Sequence, residues 1–245
     1  MRDATPLTLL REHATSDAAA DLDCSLHLLR EVASGARGPL LRAYTPARTL
    51  AFGQRDARLP GFGEASAAAA ALGFAPVVRS AGGRAAAYHE GCLIIDQIQS
   101  EPEAMRGHQA RFARFGELYA QALRGVGVDA AVGEIPGEYC PGEFSVHGTP
   151  ERGLAPDGVG RVKLVGTAQR VVAGAWLFTS VLVVSGAPSL CEVTTRVYAA
   201  LGLELDPRTV GDAVGLVGSG VSVPTPTSVL DSVLRTWAGA GYTFS

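Results

Sequence analysis

The chain has 245 residues, 47% of them apolar and 18% charged, with a formal net charge of −3. A chain this long buries roughly 70–75% of its unfolded surface, so it needs no disulfides to fold, and its charge balance excludes a molecule drawn as a whole to nucleic acid or an anionic membrane. The four cysteines (Cys24, Cys92, Cys140 and Cys191) form no Cys-x-x-Cys pair and no Cys/His cluster at metal-ligand spacing, so no metal is expected.

In chain order, Pro6-Leu-Thr-Leu-Leu10 meets Arg11 and Glu12 too soon to be a signal-peptide core, which predicts a cytoplasmic protein with reduced thiols. Ser16 to Ser34 places Leu22, Leu26, Leu29 and Val32 near helical spacing, with Asp17, Asp21 and Asp23 early in the segment, where the helix dipole favours carboxylates. Leu40 to Tyr44 and Thr49 to Phe52 read as short strands around the Thr45-Pro46 turn. A helix over Glu64 to Leu72 stops at Gly73. Pro76 to Arg79 returns to strand, the Gly82-Gly83 loop follows, and strand resumes through Cys92 to Ile95. Arg111 to Arg124 puts Phe112, Phe115, Leu118, Tyr119 and Ala122 on one helical face. Strands and loops run from Glu134 to Val184, with a flexible insertion expected at 149–160 from its Pro, Gly and Asp content. The charge-free stretch from Val171 to Cys191 is read as buried strands, since Gly174, Ser185, Gly186 and Pro188 punctuate it, rather than as a membrane span. Glu192 to Leu201 and Thr227 to Ala238 close the chain as helices. Helices and strands mix without strict βαβ alternation, which predicts an α+β fold: a mixed, mainly antiparallel sheet flanked by helices, as one domain over 1–245.

Of 21 basic side chains, 20 are arginine and one, Lys163, is lysine. A composition that converts lysine to arginine makes the survivor informative, because a compact ammonium does what a rigid guanidinium cannot. Two segments could carry chemistry with it. Val77 to His89 is a strand that breaks at Gly82-Gly83, where the backbone can approach a ligand closely; by itself this glycine doublet is weak evidence, and taken alone an ordinary hairpin loop is the better reading. Gly137-Glu-Tyr-Cys-Pro-Gly142 places Cys140 in an accessible loop, whereas Cys24 falls in a helix, Cys92 begins a strand and Cys191 follows one, so those three read as inert core thiols. A nucleophilic Cys140 calls for a cation nearby, and Lys163, on a strand beginning at Arg161, is the candidate. His147 offers a Cys/His alternative, but no Asp or Asn to orient it is evident, so Lys163 is preferred. His89, beside Tyr88, could line the site or simply hydrogen-bond within a strand; His13, His27 and His108 read as helical or surface residues.

The segments VVRSAGGRAAAYHEG, EIPGEYCPGEFSV and RVKLVGTAQRVVAGAW together resemble the biotin/lipoate protein ligase and lipoyl/octanoyl transferase superfamily over about Leu40 to Val184. The cysteine loop most resembles the octanoyl-[glycine cleavage H protein]:protein N-octanoyltransferases, and Thr49 to Gln54 with Arg58-Leu-Pro60 fits the same branch. The resemblance implies that Cys140 is the acyl-thioester nucleophile and that Lys163 lowers the cysteine's pKa and lies near the reacting carbonyl. It also implies that Arg79, Gly82, Gly83 and Ala85 border an acyl tunnel and the acceptor's approach, and that Gly166 and Gln169 form the turn after the lysine strand. Tyr88 and His89 join the substrate-binding set, and Trp176 or Phe178 are expected as tunnel walls.

The activity so implied moves an octanoyl or lipoyl group, through an S-acyl enzyme, to a lysine of a lipoyl domain. The donor would be an octanoyl- or lipoyl-bearing protein such as glycine cleavage H protein, and the acceptors the lipoyl domains of 2-oxoacid dehydrogenase subunits. No cofactor, nucleic acid or membrane is required. An ATP-dependent lipoate ligase is the alternative within enzymes, weakened by the short Ser-Ala-Gly-Gly-Arg loop. A noncatalytic lipoyl-domain or fatty-acid binding protein is the alternative outside them.

Overall fold

The computed structural model describes residues 4–13, 17–149 and 160–245; the insertion expected at 149–160 falls on residues 150–159, outside the described ones, apart from its two end positions. The first half of the chain contributes β1 (Thr5–His13), α1 (Ala18–Ala33), β2 (Leu40–Thr45), β3 (Thr49–Phe52), α2 (Phe62–Ala71), β4 (Ala75–Val78), β5 (Ala86–Tyr88), β6 (Cys92–Ser100) and α3 (His108–Arg124). The second contributes β7 (Ala130–Val132), β8 (Val146–Gly148), β9 (Val162–Val172), β10 (Ala175–Val183), α4 (Ala187–Leu201), α5 (Pro226–Gly239) and β11 (Tyr242–Phe244).

Among the described residues, eight strands form one sheet in the order β11-β1-β2-β6-β10-β9-β8-β7, and β4-β3-β5 form a small second sheet. Pairing is parallel at β11/β1 and β1/β2 and antiparallel from β2 to β7. The mixed, mainly antiparallel α+β fold expected from the sequence is the fold found.

Strand alternation divides the large sheet into two unlike faces. On one face, Leu41, Ala43, Ile95, Trp176 and Phe178 pack against Phe115 of α3 and Trp237 of α5. The other face carries Tyr44, Ile94 and Val181 under the small sheet, then Leu40, Ile98 and Leu177 under α1. Between these apolar rows runs a polar one: Arg42 pairs in register with Asp96, and Asp96 with Thr179. Arg42, itself buried, lies 3.4 Å from Asp96 Oδ2 and 3.8 Å from Asp21 Oδ1, and Ser25 Oγ donates to Asp96 at 2.6 Å. Burial nevertheless raises the Asp96 carboxyl above the usual range.

Several boundaries differ from the sequence reading, each for a physical reason. β6 continues to Ser100 because Asp96, polar on paper, is buried against Arg42. α4 begins at Ala187, since Pro188 sits in the first turn, where a missing N–H costs no helical bond. Cys191 is therefore helical and does not follow a strand, and of the three thiols taken as core only Cys92 is buried; its pKa is pushed up to about 12 by burial. Trp176 and Phe178 lie on the α3 side, Phe178 with its ring 4.8 Å from that of Phe115, so they do not wall the cavity described below. No helix among the described residues is long and apolar enough to cross a membrane.

Candidate active site

Cys140 lies in the loop joining β7 to β8. Its φ of 44° is the sole positive value among the described non-glycine residues, a backbone state that costs a side-chain-bearing residue roughly 1–2 kcal/mol. Two surrounding elements hold it there. Its N–H donates to the hydroxyl of Tyr198 on α4 at 2.6 Å, and that hydroxyl donates onward to the Ala85 carbonyl at 3.0 Å. Its carbonyl accepts from Lys163 Nζ, on β9, at 2.9 Å. The loop itself is braced by Glu138, whose carboxylate accepts from Gly142 N–H at 3.1 Å and from Ser145 Oγ at 2.8 Å.

Lys163 meets the Cys140 loop through main-chain carbonyls, whereas the sequence predicts its ammonium beside the sulfur. Its ammonium donates to the Tyr139 carbonyl at 3.0 Å and the Cys140 carbonyl at 2.9 Å, and pairs with Glu138 Oε2 at 2.9 Å. The two carbonyls thus take two of its three hydrogens, and Glu138 balances its charge. Lys163 and Glu138 are both almost fully buried, 2% and 1% exposed, so the pair is shielded from solvent.

The cation recorded at the sulfur is Arg79. Its Nη2 lies 3.6 Å from Cys140 Sγ and donates to the Arg84 carbonyl at 2.8 Å, while its buried Nε has no hydrogen-bond partner. The glycine loop is shaped to admit this guanidinium. A Cβ on Gly82, whose φ is 105°, would fall 2.6 Å from Arg79 Cζ, and one on Gly83 would lie 3.5 Å from the sulfur. The loop is in turn held by the buried Asp56, which accepts from Gly53 N–H at 2.9 Å and pairs with Arg84 at 3.0 Å. Gly53 permits that approach, since a Cβ there would meet the Gly83 carbonyl oxygen at 1.7 Å.

A cavity opens from Cys140, Lys163 and Arg79 across the second face of the sheet to Leu22 and Leu26 of α1. Its walls are largely apolar, with Ala86, Tyr88, Ile94, Val181 and Gly166 among them. Gly166 lines the passage beside Lys163, where a Cβ would rest in contact with Lys163 Cε at 3.4 Å.

The structure therefore gathers Cys140, Lys163, Arg79, Gly82, Gly83, Tyr88 and Gly166 at one place, with Ala85 entering through its carbonyl. Two expectations fail. His89 does not line the cavity; its Nδ1 accepts from Gly91 N–H at 2.8 Å and its ring is packed against Gly186. Gln169 is turned to α3, accepting from Arg111 Nε and donating to the His108 carbonyl, both at 2.8 Å. It and Gly166 also lie inside the continuous strand β9, not in a turn. Glu138, Tyr198 and Asp56 were missed. Glu138 had a signal, an acid two positions before the cysteine, whereas the other two act across long sequence separations.

Residues 17–201 match the family model described as the lipoyl protein ligase A/B catalytic domain. The chain belongs to that family. Among lipoyl ligase relatives, it is 33% identical to an octanoyl-[GcvH]:protein N-octanoyltransferase of an Exiguobacterium species over 141 residues, 56% of this chain and 45% of that protein. A protein of the same description from Exiguobacterium sibiricum is 27% identical over 195 residues, 78% of this chain and 64% of the relative. The chain thus spans about half to two thirds of these relatives' length. The fold is also that of the bi-partite lipoate protein ligase solved from Thermoplasma acidophilum, with a TM-score of 0.70 at 20% identity over 98% of this chain and 86% of that one.

Proposed function

We propose that this lipoyl ligase-family chain is a cysteine-dependent acyltransferase that moves an octanoyl or lipoyl group to a lysine of a lipoyl domain through an S-acyl enzyme. The observation that carries the reading is the position of Cys140: a strained loop residue whose sulfur sits beside a guanidinium at the head of an apolar cavity. The relatives' printed name supports an octanoyl group and GcvH, the glycine cleavage H protein, which we take as donor.

In the first step, Cys140 Sγ bonds to the donor's acyl carbon, and the bond from that carbon to the donor lysine nitrogen breaks, the amine leaving with a proton. In the second, the acceptor lysine nitrogen bonds to the same carbon and the C–S bond breaks. One acyl bond replaces another at each step, so no nucleotide is consumed. The acyl tail has an apolar place to lie, between Ala86, Ile94 and Val181.

Charge develops on the carbonyl oxygen in both steps and needs donors already in place. The Cys140 N–H is committed to Tyr198, and the Lys163 ammonium is held by two carbonyls and by its ion pair with Glu138. The Arg79 guanidinium lines the cavity with its Nη2 facing the sulfur, and we assign this cation to the developing charge on that oxygen. Lys163 then acts by fixing the loop, as a positioning residue.

Intact mass after incubation with octanoyl-H protein tests the reading. An octanoyl increment on the wild-type chain, absent from Cys140→Ser, is expected. No increment with octanoyl-H protein, alongside product formed from octanoate and ATP, would overturn it in favour of ligation.

A further inference from the structure

Cys140 is shared by two chambers. Besides the acyl cavity, a second one adjoins it, and Cys140, Lys163 and Thr167 line both. The second chamber is walled by Phe112 and Phe144, whose rings stack 6.1 Å apart at 8°, with Glu143 and His108 also lining it. His108 is the first residue of α3, and its ring meets that of Phe112 edge-on at 5.3 Å.

We propose that this second chamber receives the lysyl arm, first of the donor and then of the acceptor, and that His108 carries the proton its amine must gain or lose. The inference rests on the transfer reading above. A lysyl arm is four methylenes ending in an amine, which suits two aromatic walls with a carboxylate beside them. With the acyl tail in one chamber and the arm in the other, the bond between them crosses the sulfur.

The chemistry requires a proton carrier. A lysine amide nitrogen leaves as a neutral amine only if a proton reaches it, and the incoming ammonium must lose one before it attacks. The Arg79 guanidinium holds its protons too tightly to give them, and the Lys163 ammonium is held in its ion pair with buried Glu138 and by two carbonyls. Burial pushes the Tyr88 and Tyr139 phenols upward, away from use near neutrality. Of the described histidines, His108 alone lines either chamber. As donor leaves, imidazolium gives its proton to the nitrogen while the C–N bond breaks and the C–S bond forms. As acceptor attacks, the neutral ring takes the amine proton while the C–N bond forms and the C–S electron pair returns to sulfur.

The titratable groups sharing the chamber with His108 are Glu143, Cys140 and Lys163; Arg111, on the same helix, is turned to Glu101 and Gln169. The test separates loading from discharge. S-octanoyl-N-acetylcysteamine loads Cys140 without an amine, since a thiolate leaves unassisted. His108→Asn is expected to load within twofold of wild type but to discharge to a lipoyl domain about 10²-fold more slowly at pH 7, the gap narrowing as alkaline pH frees the amine. Phe144→Ala is expected to raise the KM for the lipoyl domain about tenfold with little change in loading. Discharge by both variants within twofold of wild type at every pH overturns the proposal. A wild-type chain that never loads overturns the transfer reading instead.

Discussion

The ammonium of Lys163 donates to the carbonyl oxygen of Cys140 at 2.9 Å, so the tie between the lone lysine and the loop cysteine runs through the main chain. The same nitrogen balances the buried carboxylate of Glu138. Removing it therefore has two separable effects, on the fold and on the site.

Lys163→Ala leaves Glu138 buried without its cation, which is expected to destabilise the chain by about 3–5 kcal/mol. Lys163→Met combined with Glu138→Gln should regain most of the lost stability in a denaturant melt yet stay poor in acyl transfer, since the two carbonyls still lack their donor. His147→Ala, which touches neither chamber, should retain more transfer activity than Lys163→Ala. The reverse ranking would move the supporting role to the histidine.

Arg79→Lys keeps a charge but loses the fork that can face sulfur and carbonyl oxygen together. S-octanoylation of Cys140 is expected to slow by about 10²-fold, with a thermal midpoint close to wild type. Loading at the wild-type rate, read by mass against time, would remove Arg79 from the reaction.

The positive φ of Cys140 predicts a reversed order of stability for two small substitutions. Cys140→Gly should be more stable than Cys140→Ala by about 1 kcal/mol, because glycine alone accepts that backbone state without a Cβ clash. At an ordinary position the glycine variant would be the weaker of the two, and chemical denaturation distinguishes the cases.

His147 is buried, and burial, with Arg161 as a second cause, lowers its pKa below the ordinary imidazole range. On acidification through about pH 6.5 the unfolded chain takes up a proton that the folded chain resists, so stability falls until the folded ring also protonates. Unfolding midpoints measured from pH 7.5 to 5 should decline less steeply for His147→Gln than for wild type. Parallel slopes would place the acid sensitivity elsewhere.

Much of this was legible in the residues. Apolar periodicity located α3 and α5, and the Cys140 loop and Lys163 stood out through glycine spacing and the scarcity of lysine. Illegible were features created by long-range pairing. Asp96 and Gln97 read as the end of a strand, yet one is buried on each face of β6. Tyr198 lies 58 positions from the cysteine it holds, and no local pattern announces it. His89 and Gln169 show the opposite failure: they adjoin motif residues in sequence, but the turn at Gly91 and the strand alternation of β9 send them elsewhere. His108 and Phe144 reach one chamber only because α3 packs against the sheet beside the cysteine loop.

The phenol of Tyr198 couples the two walls around the sulfur, one wall's amide and the other's carbonyl meeting on a single oxygen. A shift of α4 along its axis would be felt by both at once, so the helix works as a common tuning peg. Tyr198→Phe should therefore loosen the opposing loops together, and faster amide deuteration at Cys140 and in the glycine loop would register that slack in tandem.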